Sequence, residues 1–245
     1  FVAGPIVHRI SPLGLLFVSG ILGAIGLTML GNAVGVMMCV VAATVYALGK
    51  TFLWPTMLAV ASERFPKGGA VAIGMMGGVG MLSAGLLGGP AIGYKQDFFA
   101  SKNLQQQAPE TFVRYAVAEP KGFFFLPKIN GLDGAKVGVL NDSGTELANV
   151  GAALAKENKT DANHVALAGW WTTAQPFAEK DAAPVGAATL EGGRKALKVT
   201  AAVPALMALI YLMLIFYFKA KGGYKAVHIE GTAAAKADPD SEKIS

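Results

Sequence analysis

Lys50 is the residue whose type and position most directly suggest chemistry. It lies inside a long apolar segment, with Tyr46 four residues before it and Trp54 four residues after it, and side chains at this spacing share one helix face. A charge at the bilayer centre costs at least about 2.5 to 3.5 kcal/mol on insertion scales, so Lys50 should face a cavity or a partner. We predict that it binds an anionic group of a solute or pairs with an acidic residue. Snorkelling to the cytoplasmic interface from a tilted helix is the structural alternative.

The neighbours of Lys50 complete a candidate substrate-binding set. Tyr46 and Trp54 could stack on a sugar or another ligand, or they could simply pack between helices. Pro55 follows Trp54, and proline removes a backbone donor and bends a helix. A carbonyl near Thr51 should thereby be freed, unless the Thr51 hydroxyl satisfies this part of the backbone. Bent helices often line transporter sites.

The elements that position these residues are apolar segments long enough to cross a membrane. The chain of 245 residues is 53% hydrophobic and 15% charged, whereas soluble domains carry about 25% charged residues. A spanning helix needs about 20 apolar residues, which predicts an all-α membrane protein with four full spans at 12–30, 34–61, 70–93 and 199–218. Residues 1–7 are predicted to be the tail of a fifth span, because the chain starts without Met in an apolar stretch. We therefore expect an N-terminal part to be missing.

Charged residues in the short loops predict the orientation. One loop holds His8 and Arg9 and another holds Glu63, Arg64 and Lys67, while the turn at 31–33 has no charge. Basic loops are usually cytoplasmic. Residues 94–198 are then predicted to be an extracytoplasmic insert and residues 219–245 a cytoplasmic tail, in the plasma membrane, with a bacterial inner membrane favoured. The last span has three basic residues on each side, so these residues do not help to assign the orientation.

Small residues in the third span predict close helix packing. Glycines spaced four residues apart let helix backbones approach each other in lipid, and proline after them favours a kink. The same residues permit a static packing seam or a seam that slides. The predicted hinge and packing residues are Pro55, Gly74, Gly78, Gly85, Gly89, Pro90 and Gly93.

Two motifs resemble those of the major facilitator superfamily. Gly4-Pro5-Ile6-Val7-His8-Arg9 followed by Ser11 looks like a degenerate copy of its loop motif, and residues 85–93 match its GxxxGPxxG motif. The resemblance implies that the four spans are similar to helices nine to twelve of a major-facilitator-type half bundle, and that about eight helices precede them. The helix of Lys50 would be the tenth, which lines the central cavity in that family. The long connection at 94–198 departs from the family pattern.

In the insert, helices are predicted at 105–118, 146–156 and 163–171, and a strand is predicted at 135–140. Asp161 is expected to start a helix, and Trp170 and Trp171 are expected to face the membrane or cap an external mouth. The insert could be a lid or docking module, or a partly ordered spacer.

Two classes of function fit these observations. The first is a secondary active transporter that moves a small polar or anionic solute by alternating access, coupled to a proton or sodium ion. The second is a non-transporting membrane sensor or scaffold whose insert binds a partner. No span carries a catalytic constellation, so we predict no enzyme activity, no cofactor and no metal site. The net charge of +5 comes from dispersed Lys and Arg residues, which argues against nucleic-acid binding.

Overall fold

The computed structural model describes residues 11–224. The predicted fifth-span tail at 1–7, the loop residues His8 and Arg9, and the polar residues from 231 onward lie outside this range. Within it the chain forms helices without strands, and two isolated β-bridges join Ala116 to Leu132 and Lys121 to Ile129. The α-helices in chain order are α1 Pro12–Asn32, α2 Val36–Arg64, α3 Gly69–Ser83, α4 Gly89–Gln107, α5 Pro109–Tyr115, α6 Gly134–Asn141, α7 Thr145–Lys156, α8 Ala162–Ala174, α9 Ala178–Thr200 and α10 Ala202–Ala220.

Four helical runs are long and apolar enough to cross a membrane: Pro12–Asn32, Val36–Arg64, Pro66–Gln107 and Ala162–Ala220. This confirms the prediction of an all-α, multi-pass type of chain. The predicted third span is not one uniform α-helix, because a π-helical segment at Ala84–Gly88 separates α3 from α4. Pro90 follows this segment. Since proline cannot donate to the carbonyl one turn back and its ring clashes there, the α-helical pattern is locally unfavourable at the predicted kink.

The chain divides into two compact units. The first unit comprises residues up to Gly88 and from Lys198 onward, and the second unit comprises Gly89–Leu197. In the first unit α1 lies against both α2 and α10, and glycines mark each crossing. A β-carbon added at Gly26 would lie 2.5 Å from the backbone nitrogen of Tyr46, and one added at Gly20 would lie 3.0 Å from the β-carbon of Ala208.

These contacts also give the helix directions. Gly26 meets Tyr46 and Gly23 meets Gly49, while Gly20 meets Ala208 and Gly23 meets Pro204. In both pairs of contacts, the residue numbers rise along α1 as they fall along the helix that it meets. Helix α1 is therefore antiparallel to α2 and to α10, and α2 and α10 run in the same direction.

The second unit has its own hydrophobic core, so it is a folded body and not a partly ordered spacer. One cluster of buried side chains consists of Leu104, Phe112, Tyr115, Leu140, Val185 and Ala188. A second cluster joins Val139, Trp171 and Ala174, and Trp170 packs against both. The expectation that Trp171 faces a membrane or caps a mouth is wrong, because its ring is buried inside this unit, whereas Trp170 is partly buried and the prediction for it stays a prediction.

The predicted strand at 135–140 is also wrong. Residues Gly134–Asn141 form α6, which begins where the Asp133 carboxylate accepts hydrogen bonds from the backbone N–H groups of Ala135 and Lys136. A capped first turn of this kind favours a helix over a strand. The predicted helix at 105–118 is broken at Ala108, since Pro109 begins α5. The helices predicted at 146–156 and 163–171 are present as α7 and α8, and Asp161 caps α8 as expected.

Candidate functional site

Lys50 lies at the middle of α2. The helix has 29 residues, 14 of them on each side of Lys50, and the side chain is exposed. Among the described residues it has no hydrogen-bond or ion-pair partner. The ammonium thus stands uncompensated at mid-helix, and the predicted cavity or partner for it stays a prediction. The described chain therefore presents a cation that is open to a further partner.

Tyr46 and Trp54 flank Lys50 on the same helix, and both take part in packing. The backbone of Tyr46 lies against Gly26 of α1. The tip of the Trp54 indole lies over Gly80 of α3, where an added β-carbon would come within 2.6 Å of the ring. Lys50 therefore lies on the strip of α2 between the side that meets α1 and the side that meets α3. Trp54 remains 37% exposed, so part of its ring is open.

Pro55 does not interrupt α2, which continues from Val36 to Arg64. The Thr51 hydroxyl donates to the carbonyl of Ala47 at 2.7 Å. The Thr51 hydroxyl therefore bonds to a carbonyl of the preceding helical turn, and it does not donate to the Thr51 carbonyl. Because Pro55 has no N–H, the Thr51 carbonyl lacks the usual helical donor four residues on, and it lies one residue from the uncompensated Lys50.

The glycines predicted to form a packing seam lie open in the described chain. β-Carbons added at Gly74, Gly78, Gly85 or Gly93 would meet no atom within 4 Å. The close helix contacts are made instead by Gly20, Gly26 and Gly49, and by Gly80, which the four-residue spacing had not singled out. Any packing role for the open glycines needs a surface other than the described residues.

One cluster ties the last turn of α2 to the end of α10. The Tyr224 hydroxyl donates to the Glu63 carboxylate at 2.8 Å, and the Arg64 guanidinium lies 4.7 Å from the centroid of the Phe218 ring. Burial, with the bond to Glu63, raises the pKa of Tyr224. Glu63 and Arg64 were predicted as loop residues, whereas the role of Tyr224 was missed because its partner is 161 residues away.

The opposite end of the first unit brings together the end of α1 and the start of α10. Thr28 and Met29 line one shallow hollow together with Lys198 and Ala201. The chain that enters α10 therefore does so at the end away from the turn at Pro66–Gly68. The residues just before α10 and the residues at the end of α10 therefore lie at opposite ends of the first unit.

The second unit contains one buried charged network. Asp181 is fully buried, accepts two hydrogen bonds from Arg114, and accepts a third from the Thr111 hydroxyl at 2.7 Å. The network joins α5 to α9, and all of its members satisfy one another, which is typical of a structural contact. Among residues 11–224 no three His, Cys, Asp or Glu side chains are grouped so as to hold a metal ion.

Comparison of the chain with protein families, curated proteins and solved structures finds no match.

Proposed function

We propose that this chain is part of a secondary active transporter that moves a small polar or anionic solute across a membrane. The observation that carries the proposal is the exposed, uncompensated Lys50 at the midpoint of a 29-residue apolar helix. Intramembrane cations are costly and usually serve a solute, an ion pathway or a partner. An anionic solute would supply the missing charge, and the freed Thr51 carbonyl would accept a hydrogen bond from it.

The resemblance to the major facilitator superfamily belongs to this proposal. The π-helical segment Ala84–Gly88 directly precedes Gly89 and Pro90. Segments of this kind are often found at functional sites. They support a role for the GxxxGPxxG motif as a hinge. In the proposed half bundle, further helices of the complete transporter pack on Gly74, Gly78, Gly85 and Gly93, which are open here. Rocking of the two halves around Lys50 would give alternating access, driven by a proton or sodium ion.

The proposed orientation follows from the charged ends of the first unit. Arg64 and Lys67 belong to the end at which Glu63 meets Tyr224, and the basic residues on either side of α10 balance each other and do not contribute. The turn between α1 and α2 contains no charged residue. We place the basic end and the C-terminus in the cytoplasm. Residues 94–198 then form an extracytoplasmic insert in a bacterial inner membrane.

The test uses the complete gene product reconstituted in proteoliposomes. Uptake is measured for a panel of labelled probes: inorganic phosphate, small mono- and dicarboxylates, a hexose phosphate and a neutral hexose. We expect uptake of an anionic probe to fall by at least about tenfold in Lys50→Ala, the loss of about one charge-assisted hydrogen bond. Lys50→Arg should retain part of it. Lys67→Ala, at the helix-end turn, is the matched control and should transport normally.

Two results would overturn the role of Lys50. One is normal uptake by Lys50→Ala at equal protein insertion. The other is transport of the neutral hexose alone, with the anionic probes excluded.

A sensor or scaffold is the second candidate, and the folded core of the second unit favours it over a simple connection. Deletion of residues 100–190 separates the two functions. A transporter should retain uptake without this segment, whereas a scaffold should show no measurable flux with it and should lose its partner without it.

A further inference from the structure

A cleft of about 710 Å³ opens among α6, α7 and α8 of the second unit. Its volume lies in the range of small-molecule sites. Most of its walls are apolar, and the larger apolar side chains that line it are Val139, Leu147, Val150, Leu167 and Trp170. No side chain of the buried Asp181 network lines this cleft.

The cleft is held open by a contact between two of its walls. The His164 ring nitrogen Nε2 lies 2.9 Å from the carbonyl oxygen of Leu147. Since a carbonyl only accepts, Nε2 carries the hydrogen and donates it. This bond fixes α8 against α7, so a ligand would find the walls already in place, and preorganisation of this kind lowers the cost of binding.

Lys136 is the one lysine or arginine that lines the cleft, and its ammonium already has partners. Its Nζ donates to the carbonyls of Ala116 at 3.2 Å and Arg114 at 3.4 Å. It also lies 5.5 Å from the centroid of the Trp170 ring. An anionic ligand would therefore have to displace bonds that Lys136 makes within the unit.

Two of the three acidic side chains of the cleft leave acceptors unused. Asp142 uses both oxygens, which accept from the backbone N–H groups of Gly144 and Glu146. Asp133 uses only Oδ1, and the Glu146 carboxylate has no partner among the described residues. With three carboxylates and one ammonium, the lining has a formal charge of −2.

We propose that this cleft binds a small amphiphilic cation, a molecule with an apolar body and one protonated amine. The body would lie on Leu147 and Leu167, and the amine would reach Asp133 Oδ2 or Glu146. The open part of the Trp170 ring adds a surface that attracts cations. The inference is independent of the proposed transport, because Lys50 belongs to the first unit and takes no part in the cleft.

The first test is titration calorimetry on the full chain in lipid nanodiscs, with empty nanodiscs subtracted. Three probes of the same shape are compared: 3-phenylpropylammonium, 3-phenylpropanol and 3-phenylpropanoate. We expect the ammonium to bind at least about tenfold more tightly than the alcohol, the size of one charge-assisted hydrogen bond, and the carboxylate to bind most weakly. Equal binding of all three, or no binding at millimolar concentration, overturns the proposal.

The second test uses variants that remove carboxylate charge at nearly constant side-chain volume. Asp133→Asn combined with Glu146→Gln should weaken ammonium binding by about tenfold or more, and Asn preserves the helix cap at 133. Glu157→Gln is the control, because Glu157 is 61% exposed, pairs with Lys159 and does not line the cleft. It should bind within about twofold of the unchanged protein, as expected for an exposed pair.

Gly138 allows the cleft itself to be closed. It lines the cleft on α6, and a β-carbon added there would meet no atom within 4 Å. Gly138→Leu should therefore fold and abolish ammonium binding, while Gly138→Ala should retain it. Unchanged affinity in Gly138→Leu would place the binding elsewhere and overturn the proposal. A lower particle mass in Gly138→Leu would overturn it too, since the cleft would then be an interface between copies of the chain.

Discussion

The carboxylate of Asp181 accepts hydrogen bonds from Arg114 on both of its oxygens, at 2.6 Å from Nη2 and 2.7 Å from Nε. Asp181 is fully buried, and the Arg114 side chain is 21% exposed. Bidentate pairs of this kind are strong and fix geometry. Because Arg114 lies on α5 and Asp181 on α9, the pair joins helices that are far apart in the sequence of the second unit.

We expect Asp181→Ala to destabilise the second unit by about 1.5 to 3 kcal/mol, because it removes the buried acceptor of the hydrogen bonds from Arg114 and Thr111. Trp170 and Trp171 report on this unit, so unfolding by urea is followed by fluorescence in a Trp54→Phe background. Glu110→Ala is the control, since Glu110 is 81% exposed and lies 3.9 Å from Lys180. The control should change stability by less than about 0.5 kcal/mol. Equal losses in the two variants would contradict a structural role for the buried pair.

Tyr115 should make the stability of the second unit depend on alkaline pH. Its side chain is fully buried and its hydroxyl has no hydrogen-bond partner, and burial raises its pKa from 10.0 to about 12. Below pH 10 the hydroxyl is protonated whether the unit is folded or unfolded, so it adds no pH dependence. Between about pH 10 and 12 it ionises only in the unfolded chain, and stability should fall as the pH rises.

Tyr115→Phe checks this directly. The variant lacks the ionisable hydroxyl, so the added decline above pH 10 should disappear. At neutral pH it should be as stable as the unchanged protein or more stable by about 1 kcal/mol, because a buried unpartnered hydroxyl is removed. A clear loss of stability at neutral pH would mean that the hydroxyl has a partner.

The features of the fold that sequence could predict are those set by local pattern. The apolar runs that became α1 and α2 are unbroken and of spanning length, and Asp161 has the residue type and position of a helix cap. The break in the α-helix at Ala84–Gly88 lies next to Pro90, and the missing N–H of proline favours such a break. Each of these depends on residues within a few turns of one another.

The features that sequence missed depend on partners distant in the chain. Arg114 and Asp181 are 67 residues apart, and neither stands out among the dispersed charges of 94–198. Glycine spacing pointed to Gly74 and Gly78, but the contacts fell on Gly26 and Gly80, because the neighbouring helix decides which glycine is covered. Only the assembled helices show that Trp54 fills the space over Gly80.

Gly26 and Gly74 should respond in opposite ways to the same substitution in this 245-residue chain. A β-carbon at Gly26 would lie 2.5 Å from backbone atoms of Tyr46, which cannot turn aside, whereas one at Gly74 would meet no atom within 4 Å. Gly26→Ala should therefore separate α1 from α2 at a cost of about 1 to 3 kcal/mol. Gly74→Ala should cost nothing, since alanine favours a helix over glycine. Thermal unfolding in one detergent measures both, and equal tolerance would contradict the close crossing at Gly26.

Cysteine labelling tests the proposed orientation at two positions without changing any charge. Cys39 is the single cysteine, so Cys39→Ala provides a background that should not react. In it, Ser62→Cys introduces a thiol two residues before the end of α2, and Thr160→Cys introduces one at an exposed position between α7 and α8. If the basic end of the first unit is cytoplasmic, a membrane-impermeant maleimide should label Thr160→Cys in intact spheroplasts. Ser62→Cys should react only after permeabilisation, whereas the reverse pattern would invert the orientation.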